Sequence, residues 1–393
     1  MRKIRFYFVL GIILLVIDLG AGTLIDPLRK YLRSLQNLNI SREISADRAV
    51  FEYSFKSNHA GQRAFGPFTV PFFTNSLGFR AGATGEVSKK KSKKRILIIG
   101  DSFTEGIGVS WEHTFSGRIE SARKDWEVLN AGVASYSPAV YFSKIRHFVD
   151  SEGLEIDHAV VFIDVGDLHN ELERTVGADF NVIGVKKDKS QISARDRQVK
   201  LKMANLDSKP ARKRGGWTFQ DARQWMRDHS LFVRFVYEVR EAIGDLEQGC
   251  QPFNFDCRHR IHRRNYDLSW HAFNVMWSTP GYPIHPWVKK GQAKAEKHMA
   301  MLKTFLDTKN IPLTIAVYPW PHQVLLKDID SRHRKIWRKW ASDHGVHFVD
   351  LFPPFFRDPP NESVRKHYIP NDVHFSIGGH AVVANTFLNE WKF

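Results

Sequence analysis

One short segment constrains the fold of this chain more than any other. Ile96-Leu97-Ile98-Ile99 is a continuous apolar run that ends at Gly100. A run of this length without polar alternation is typical of a strand that is buried on both faces. Such strands occur in parallel sheets with helices on both sides, so the segment predicts an α/β fold.

The same pattern continues along the chain. Four more short strands are predicted, over residues 126–129, 159–163, 313–318 and 346–351. Apolar residues at three- and four-residue spacing predict helices between them, over residues 141–149, 293–306 and 335–341. Strands that alternate with helices predict a three-layer α/β sandwich with a central, mostly parallel sheet.

A serine follows the first of these strands. In open α/β sheets, ligands bind beyond the carboxyl ends of the strands, which is where Asp101 and Ser102 would lie. The change from strand to helix also leaves backbone N–H groups free to stabilise an oxyanion. This position favours Ser102 as a nucleophile, although Gly-Asp-Ser also occurs in plain turns.

A serine hydroxyl needs a base to act as a nucleophile at neutral pH. Near the C-terminus, His374 can accept the serine proton and later return it. Asp372, two residues earlier, can orient the imidazole and stabilise the imidazolium. We therefore predict that Ser102, His374 and Asp372 are catalytic. The alternative for the C-terminal segment is a polar loop that precedes a helix.

Together, these segments resemble the SGNH hydrolase superfamily, also called GDSL esterases, which has four sequence blocks in a fixed order. The resemblance lies in residues 100–102, 130–137, 162–167 and 372–374, with a lead-in typical of exported members at Asn75–Arg80. It implies a flavodoxin-like α/β sheet and a serine esterase. The first block would supply the nucleophile and the last block the base.

The resemblance also implies an oxyanion hole, and here the chain departs from the family. The second block supplies a glycine N–H, and the aligned residue is Ser135, with Gly132 as the alternative. The third block normally has Asn before Asp, but Gly166 stands before Asp167, with Asn170 as a candidate substitute. Loss of one such donor costs about 100- to 1000-fold in rate.

The spacing of the last block differs as well. Many members place the Asp three residues before the His, where this chain has Asn371. Exported members involved in polysaccharide O-acetylation use the shorter spacing, so the resemblance favours Asp372. An Asn could orient the ring of His374 but would not stabilise the imidazolium by charge.

The N-terminus resembles a membrane-targeting segment. Basic residues in Met1–Arg5 precede Phe6–Ile25, which carries a single charge, Asp18. About 20 apolar residues span a bilayer as a helix, and a basic flank stays inside. We predict a single-pass signal anchor over residues 1–25, with the catalytic domain extracytoplasmic. A cleaved signal peptide, with small residues at Gly20–Gly22, is the alternative.

The remainder is predicted to form two parts. Residues 26–94 are expected to be a leader and linker that ends in a basic run, and residues 95–393 a hydrolase-like domain. A basic insertion at about 171–288 interrupts that domain. Its tryptophans would stack on sugar rings or form a local core: Trp217, Trp225, Trp270, Trp277 and Trp287. Its two cysteines, Cys250 and Cys257, would form a local disulfide in an oxidising compartment or remain free thiols.

Charge narrows the choice of partners. The net charge is +16, which favours acidic partners such as anionic polysaccharide, lipid headgroups or nucleic acid. Nucleic acid is excluded by the predicted export and by the lack of a nucleic-acid motif. The chain has no Cys-x-x-Cys spacing of the kind that binds zinc. We therefore expect no metal and no cofactor.

The predicted function is a serine-dependent ester hydrolase or O-acyltransferase, commonly for acetyl groups. Its substrate would be an extracytoplasmic ester on a cell-envelope glycan. The alternative is a catalytically weak SGNH domain that acts as a glycan-binding or assembly factor. The missing third-block Asn and the basic, aromatic insertion motivate that alternative, and the presence of Ser102, Asp372 and His374 argues against it.

Overall fold

The computed structural model describes residues 18, 48–65, 68–184, 230, 232–233, 275–280, 284–370 and 372–391. The chain forms two compact units. The larger comprises Ser41–Asp207 and His262–Phe393, and the smaller comprises Met1–Ile40 and Ser208–Ile261. In the smaller unit, the Asp18 carboxylate accepts hydrogen bonds from the Ser230 hydroxyl and, at 2.8 Å, from the Phe232 N–H.

The larger unit is built on an eight-stranded sheet with the strand order β1-β2-β3-β5-β4-β6-β9-β10. A separate two-stranded sheet pairs β7 with β8. The strands are β1 Ala60–Phe65, β2 Phe68–Thr74, β3 Arg80–Ala81, β4 Lys94–Ile99, β5 Trp126–Asn130, β6 His158–Ile163, β7 Arg174–Val176, β8 Val182–Gly184, β9 Leu313–Val317 and β10 His347–Asp350.

The central part of this sheet is parallel. Strands β5, β4, β6, β9 and β10 pair in parallel, and all the residues of β6 and β9 are buried. Helices cover both faces, so the predicted three-layer α/β sandwich with a mostly parallel sheet is confirmed. All five strands expected from apolar runs are present, with ends that shift by one or two residues.

Three antiparallel strands extend the sheet at one edge. Strands β1, β2 and β3 come from residues 60–81, which were expected to lie in a leader. In β2, Val70 and Phe72 are buried while Thr69 and Pro71 are exposed, which is the alternation of a half-buried strand. This edge brings the segment before β4 into the same core as the predicted catalytic residues.

Helices alternate with the strands as expected. The α-helices of the described residues are α1 Arg48–Phe51, α2 Ser102–Glu105, α3 Phe115–Ala122, α4 Pro138–Arg146, α5 Asp167–Leu172, α6 Pro286–Thr308, α7 Pro321–Leu325, α8 Arg332–Asp343, α9 Pro360–His367 and α10 Ile377–Glu390. The helix predicted over 141–149 is α4 and the π-helical turn His147–Ser151 that continues it. Helix α6 begins at a Pro, whose fixed φ suits the first turn, and is capped by His285.

Several sequence-based predictions concern residues outside those that the structure describes. Apart from Asp18, the predicted anchor over residues 1–25 lies outside the described residues, as do Asn371, both cysteines and most of the insertion. Among the described residues, no helix combines the length and apolar character needed to cross a bilayer. Of the insertion's tryptophans, Trp277 is buried and donates to the Val165 carbonyl at 3.3 Å, and Trp287 packs edge-on against His169.

Candidate active site

Ser102 is the first residue of α2, directly beyond the carboxyl end of β4. Asp101 caps this helix, because its Oδ1 accepts the Phe103 N–H at 3.0 Å. The chain turns sharply at Gly100 as it leaves β4. A Cβ at that position would press on Thr104 and come within 2.8 Å of the Phe162 carbonyl oxygen. The half-buried serine therefore lies at a helix N-terminus, where backbone N–H groups point outwards.

The hydroxyl of Ser102 makes its hydrogen bond to Asp101. Its Oγ lies 3.2 Å from Asp101 Oδ2, and Tyr318 donates its hydroxyl to the other oxygen, Oδ1, at 3.1 Å. Within the described residues, Ser102 makes no hydrogen bond to His374. Proton transfer from this serine to the histidine therefore requires the hydroxyl to exchange its bond to Asp101 for one to His374.

Asp372 and His374 form a hydrogen-bonded pair. Asp372 Oδ1 lies 2.5 Å from His374 Nδ1 and also accepts the His374 backbone N–H at 2.9 Å. The two-residue spacing allows one oxygen to accept both bonds, as in an Asx turn. A carboxylate at Nδ1 stabilises the tautomer with its proton there, which leaves Nε2 as the acceptor.

The imidazole of His374 lies beside the serine-bearing helix. Its ring centroid is 5.0 Å from that of Phe103, the residue after Ser102. Phe65, at the end of β1, packs edge-on against the same ring at 5.7 Å. The structure therefore brings the predicted base and its Asp partner to the carboxyl end of β4, next to the predicted nucleophile.

The second block forms a loop beyond the carboxyl end of β5. Ser135 is exposed in this loop and has φ +66°, a left-handed conformation that favours glycine. The alternative donor expected from sequence, Gly132, uses its N–H for a 3.0 Å bond to Asn130 Oδ1. A Cβ at Gly132 would lie 2.6 Å from Thr104 Cγ2, so this glycine permits close packing instead. The geometry favours Ser135 as the donor.

The third block offers no side-chain donor at Gly166. The Gly166 N–H bonds to Asp164 Oδ1 at 2.6 Å. A Cβ on Gly166 would lie 2.8 Å from that oxygen and 3.6 Å from the Trp320 ring, so an Asn at this position would require the Asp164 side chain to shift. Asn170, one turn further along α5, is half-buried, and no side-chain hydrogen bond joins it to Ser102 or His374 among the described residues.

Asp167 belongs to a buried acidic cluster, which we define as Asp101, Asp164 and Asp167. One carboxylate oxygen from each lies within 4.8 Å of the others, and all three side chains are buried. Tyr141 donates to Asp167 Oδ2 at 2.9 Å, and Trp320 Nε1 donates to Asp164 Oδ2 at 2.5 Å. The sequence predicted Asp167 beside the oxyanion or the substrate. In the structure its carboxylate is buried and accepts the hydrogen bond from Tyr141.

The electrostatic environment of the acidic cluster favours the protonated form of its carboxyls. Burial raises the pKa of all three carboxyls, and repulsion from the neighbouring carboxylates raises the pKa of Asp164 and Asp167 further. The Phe103 N–H and the charge of His374 partly offset the rise in the pKa of Asp101. Three carboxylates this close offer ligand atoms for a cation. Protonation also reduces the repulsion between them, and it requires no bound ion.

Other histidines of the region have packing roles. His380 Nδ1 accepts the Phe115 N–H at 3.2 Å, which joins α10 to the start of α3. His322 is fully buried beside Trp320.

Comparisons with known proteins give only distant matches. No family model and no curated protein matches the chain. An acetylxylan esterase from Geobacillus stearothermophilus is 14% identical, with a TM-score of 0.34 over 78% of this chain and 97% of that chain. A lipolytic protein of the G-D-S-L family from Veillonella parvula is 9% identical, with a TM-score of 0.34 over 75% of this chain and 97% of its own.

A third match is an alpha/beta hydrolase from a Lake Arreo metagenome. It is 13% identical, with a TM-score of 0.36 over 77% of this chain and 96% of that chain. At identities and TM-scores this low, similarity to these proteins does not assign the chain to a family or an activity.

Proposed function

We propose that the protein is a serine ester hydrolase of the SGNH type, with Ser102 as its nucleophile. One observation carries the proposal. Ser102 begins the helix beyond the central strand β4, and the imidazole of the Asp372–His374 pair packs on the next residue, Phe103. Ser102, His374 and Asp372 thus lie at one sheet edge although their segments are 270 residues apart in sequence, counted from Ser102 to Asp372, which supports the proposed roles.

The reaction follows from this placement. Rotation of the Ser102 side chain moves its hydroxyl from Asp101 towards Nε2 of His374. The oxygen then attacks the ester carbonyl while His374 accepts the proton, and Asp372 stabilises the resulting imidazolium. The N–H groups of Ser102 and Ser135 bind the oxyanion. His374 next protonates the leaving alcohol, which leaves the acyl group on Ser102.

The acyl-enzyme has two possible fates. Attack by water, with His374 as the base, releases a carboxylic acid and restores Ser102. Attack by a sugar hydroxyl gives a new ester instead. We place the substrate among acetylated cell-envelope glycans and the domain outside the cytoplasm. The apolar segment at residues 6–25 and the net charge of +16 support this placement.

A second candidate function rests on the third block. The backbone at Gly166 is closed by Asp164 and Trp320, so the oxyanion hole lacks a side-chain donor there. A site that lacks one donor loses about 100- to 1000-fold in rate. A weakly catalytic domain that binds acylated glycans is therefore the competing proposal.

Hydrolysis of p-nitrophenyl acetate by the purified full-length protein tests the proposed function. We expect turnover by the wild type and none above background in Ser102→Ala, with an unchanged melting temperature. Ser110→Ala, which removes a half-buried hydroxyl bonded to Glu112, serves as the matched control and should keep wild-type turnover.

Equal activity in Ser102→Ala would overturn the assignment. Glycan binding with no turnover by the wild type would favour the second candidate. Product analysis with acetylated glycans then separates hydrolysis from transfer.

A further inference from the structure

Residues 131–137, beyond the carboxyl end of β5, form the loop that we call the oxyanion loop. The peptide group between Ala134 and Ser135 is the part of this loop that must be oriented. Its N–H belongs to Ser135 and its carbonyl to Ala134, and in a trans peptide the two point in opposite directions. Ser135 has φ +66°, a left-handed conformation that is unfavourable for a residue with a Cβ. Its side chain is exposed, so other contacts must hold this conformation.

Tyr53 binds that peptide group directly. Its hydroxyl donates to the Ala134 carbonyl oxygen at 2.6 Å, on the opposite side from the Ser135 N–H. Tyr136, on the far side of Ser135, donates its own hydroxyl to the Tyr53 carbonyl, and the two tyrosine rings lie 5.3 Å apart. A flip of the peptide would break the bond to Tyr53 and turn the Ser135 N–H away from its present direction.

Glu105 holds the preceding peptide. The Ala134 N–H donates to Glu105 Oε2 at 2.7 Å, and Glu105 is fully buried at the end of the serine-bearing helix α2. Arg63 of β1 forms an ion pair with the same carboxylate. The loop is thereby tied to the helix that carries Ser102, which fixes the two N–H groups relative to one another.

Lys144 holds the start of the loop from below. Its ammonium donates to the Ala131 carbonyl at 3.1 Å, the Tyr136 hydroxyl at 3.2 Å and the Ser54 hydroxyl at 3.3 Å. It also lies 4.9 Å from the centroid of the Tyr136 ring, within reach of a cation–π interaction. Lys144 is therefore a second tie between the loop and the segment that contains Tyr53.

We propose that Tyr53 is a positioning residue of the oxyanion hole, which orients the Ala134–Ser135 peptide so that the Ser135 N–H faces the reacting ester oxygen. Glu105 and Lys144 support the same loop from either end. This assignment rests on the proposed ester hydrolase function. It adds a residue that lies ahead of every SGNH-like segment and acts on the substrate only through the backbone.

Tyr53→Phe tests the assignment, because it keeps the ring and removes only the hydroxyl. We expect kcat for p-nitrophenyl acetate to fall about 10- to 100-fold with KM nearly unchanged, since the misdirected donor is used in the transition state. Ser135→Gly should largely rescue the loss, because glycine adopts positive φ without the cost that drives the flip. In the Ser135→Gly background, Tyr53→Phe should cost only a few-fold.

Tyr368→Phe is the matched control. It also removes a tyrosine hydroxyl bonded to a buried backbone carbonyl, that of Pro319 at 2.7 Å, which lies outside the oxyanion loop. It should lower the melting temperature as much as Tyr53→Phe and leave kcat unchanged.

Two results would overturn the inference alone: an active wild type with unchanged kcat in Tyr53→Phe, or the same loss in both the Ser135 and Ser135→Gly backgrounds. A wild type without turnover would instead overturn the proposed function and this assignment with it.

Discussion

At the scale of single residues, Ser102 has two possible hydrogen-bond acceptors. In the structure its hydroxyl is bound to Asp101. The Asp372–His374 pair offers a second acceptor, Nε2 of the imidazole. The proposed reaction requires the Ser102 hydroxyl to leave Asp101 and to bond to His374 Nε2 instead.

Asp372→Asn isolates the charge of the orienting residue. An Asn can still accept the His374 backbone N–H, but it lacks the negative charge that stabilises the imidazolium and selects the tautomer. We expect kcat to fall by about 10⁴-fold, as in serine triads that suffer this exchange. Steady-state kinetics measure the effect, with Asp343→Asn on the surface of α8 as the control. A loss of less than about tenfold would show that Asp372 is not the orienting residue.

The residues that the sequence pointed to and those that only the structure points to differ in a physical way. Ser102, Asp372 and His374 stand in short local patterns, and the spacing of the last pair proves compatible with one carboxylate oxygen binding both the ring and the backbone of His374. Tyr53 could not be found this way. Its role depends on a contact with a loop 81 residues later, for which the local sequence has no signal.

At the scale of secondary-structure elements, the acidic cluster joins three of them. Asp101 follows β4, Asp164 follows β6 and Asp167 begins α5. Parallel strands end at one edge of the sheet, so their following residues meet below the site. The sequence suggested a role for Asp167, but it could not show that two further Asp side chains would be buried beside it.

Asp167→Asn tests the electrostatics of this cluster. Burial and the neighbouring carboxylates raise the pKa of Asp167 in the folded state, so folding takes up protons. Its favourable contribution is full below the ordinary Asp pKa of 3.8 and is lost as pH rises towards the raised value. We therefore expect the melting temperature of Asp167→Asn, relative to the wild type, to increase as pH rises from about 4 to 8.

Scanning calorimetry across that pH range makes the measurement. The exposed Asp343→Asn variant provides the baseline, because its side chain is paired with Lys339 at the surface of α8. Parallel curves for the wild type and Asp167→Asn would show that Asp167 titrates normally in the folded protein.

At the scale of the whole molecule, the segment ahead of β4 is part of the same compact unit as Ser102, Asp372 and His374. Phe65 packs on His374, Tyr53 binds the oxyanion loop, and Arg63 pairs with Glu105. Arg80 of β3 is buried and donates to three backbone carbonyls at the end of α2 and just after it. The edge strands thus hold both the serine-bearing turn and the loop opposite to it.

The sequence predicted the parallel part of this architecture and not the antiparallel edge. Continuous apolar runs identify strands that are buried on both faces, so β4, β6 and β9 were evident. Strand β2 contains Pro71, which normally argues against a strand, and β3 has only two residues. Their pairing depends on tertiary contacts, which local patterns do not encode.

Mass spectrometry of the full-length protein, quenched during turnover of p-nitrophenyl acetate, tests the central claim most directly. Our account predicts one acetyl group per chain, located on the peptide that contains Ser102, and its absence in Ser102→Ala. An acetyl group on another residue that forms and decays at the rate of turnover, or hydrolysis without any acetylated intermediate, would contradict it.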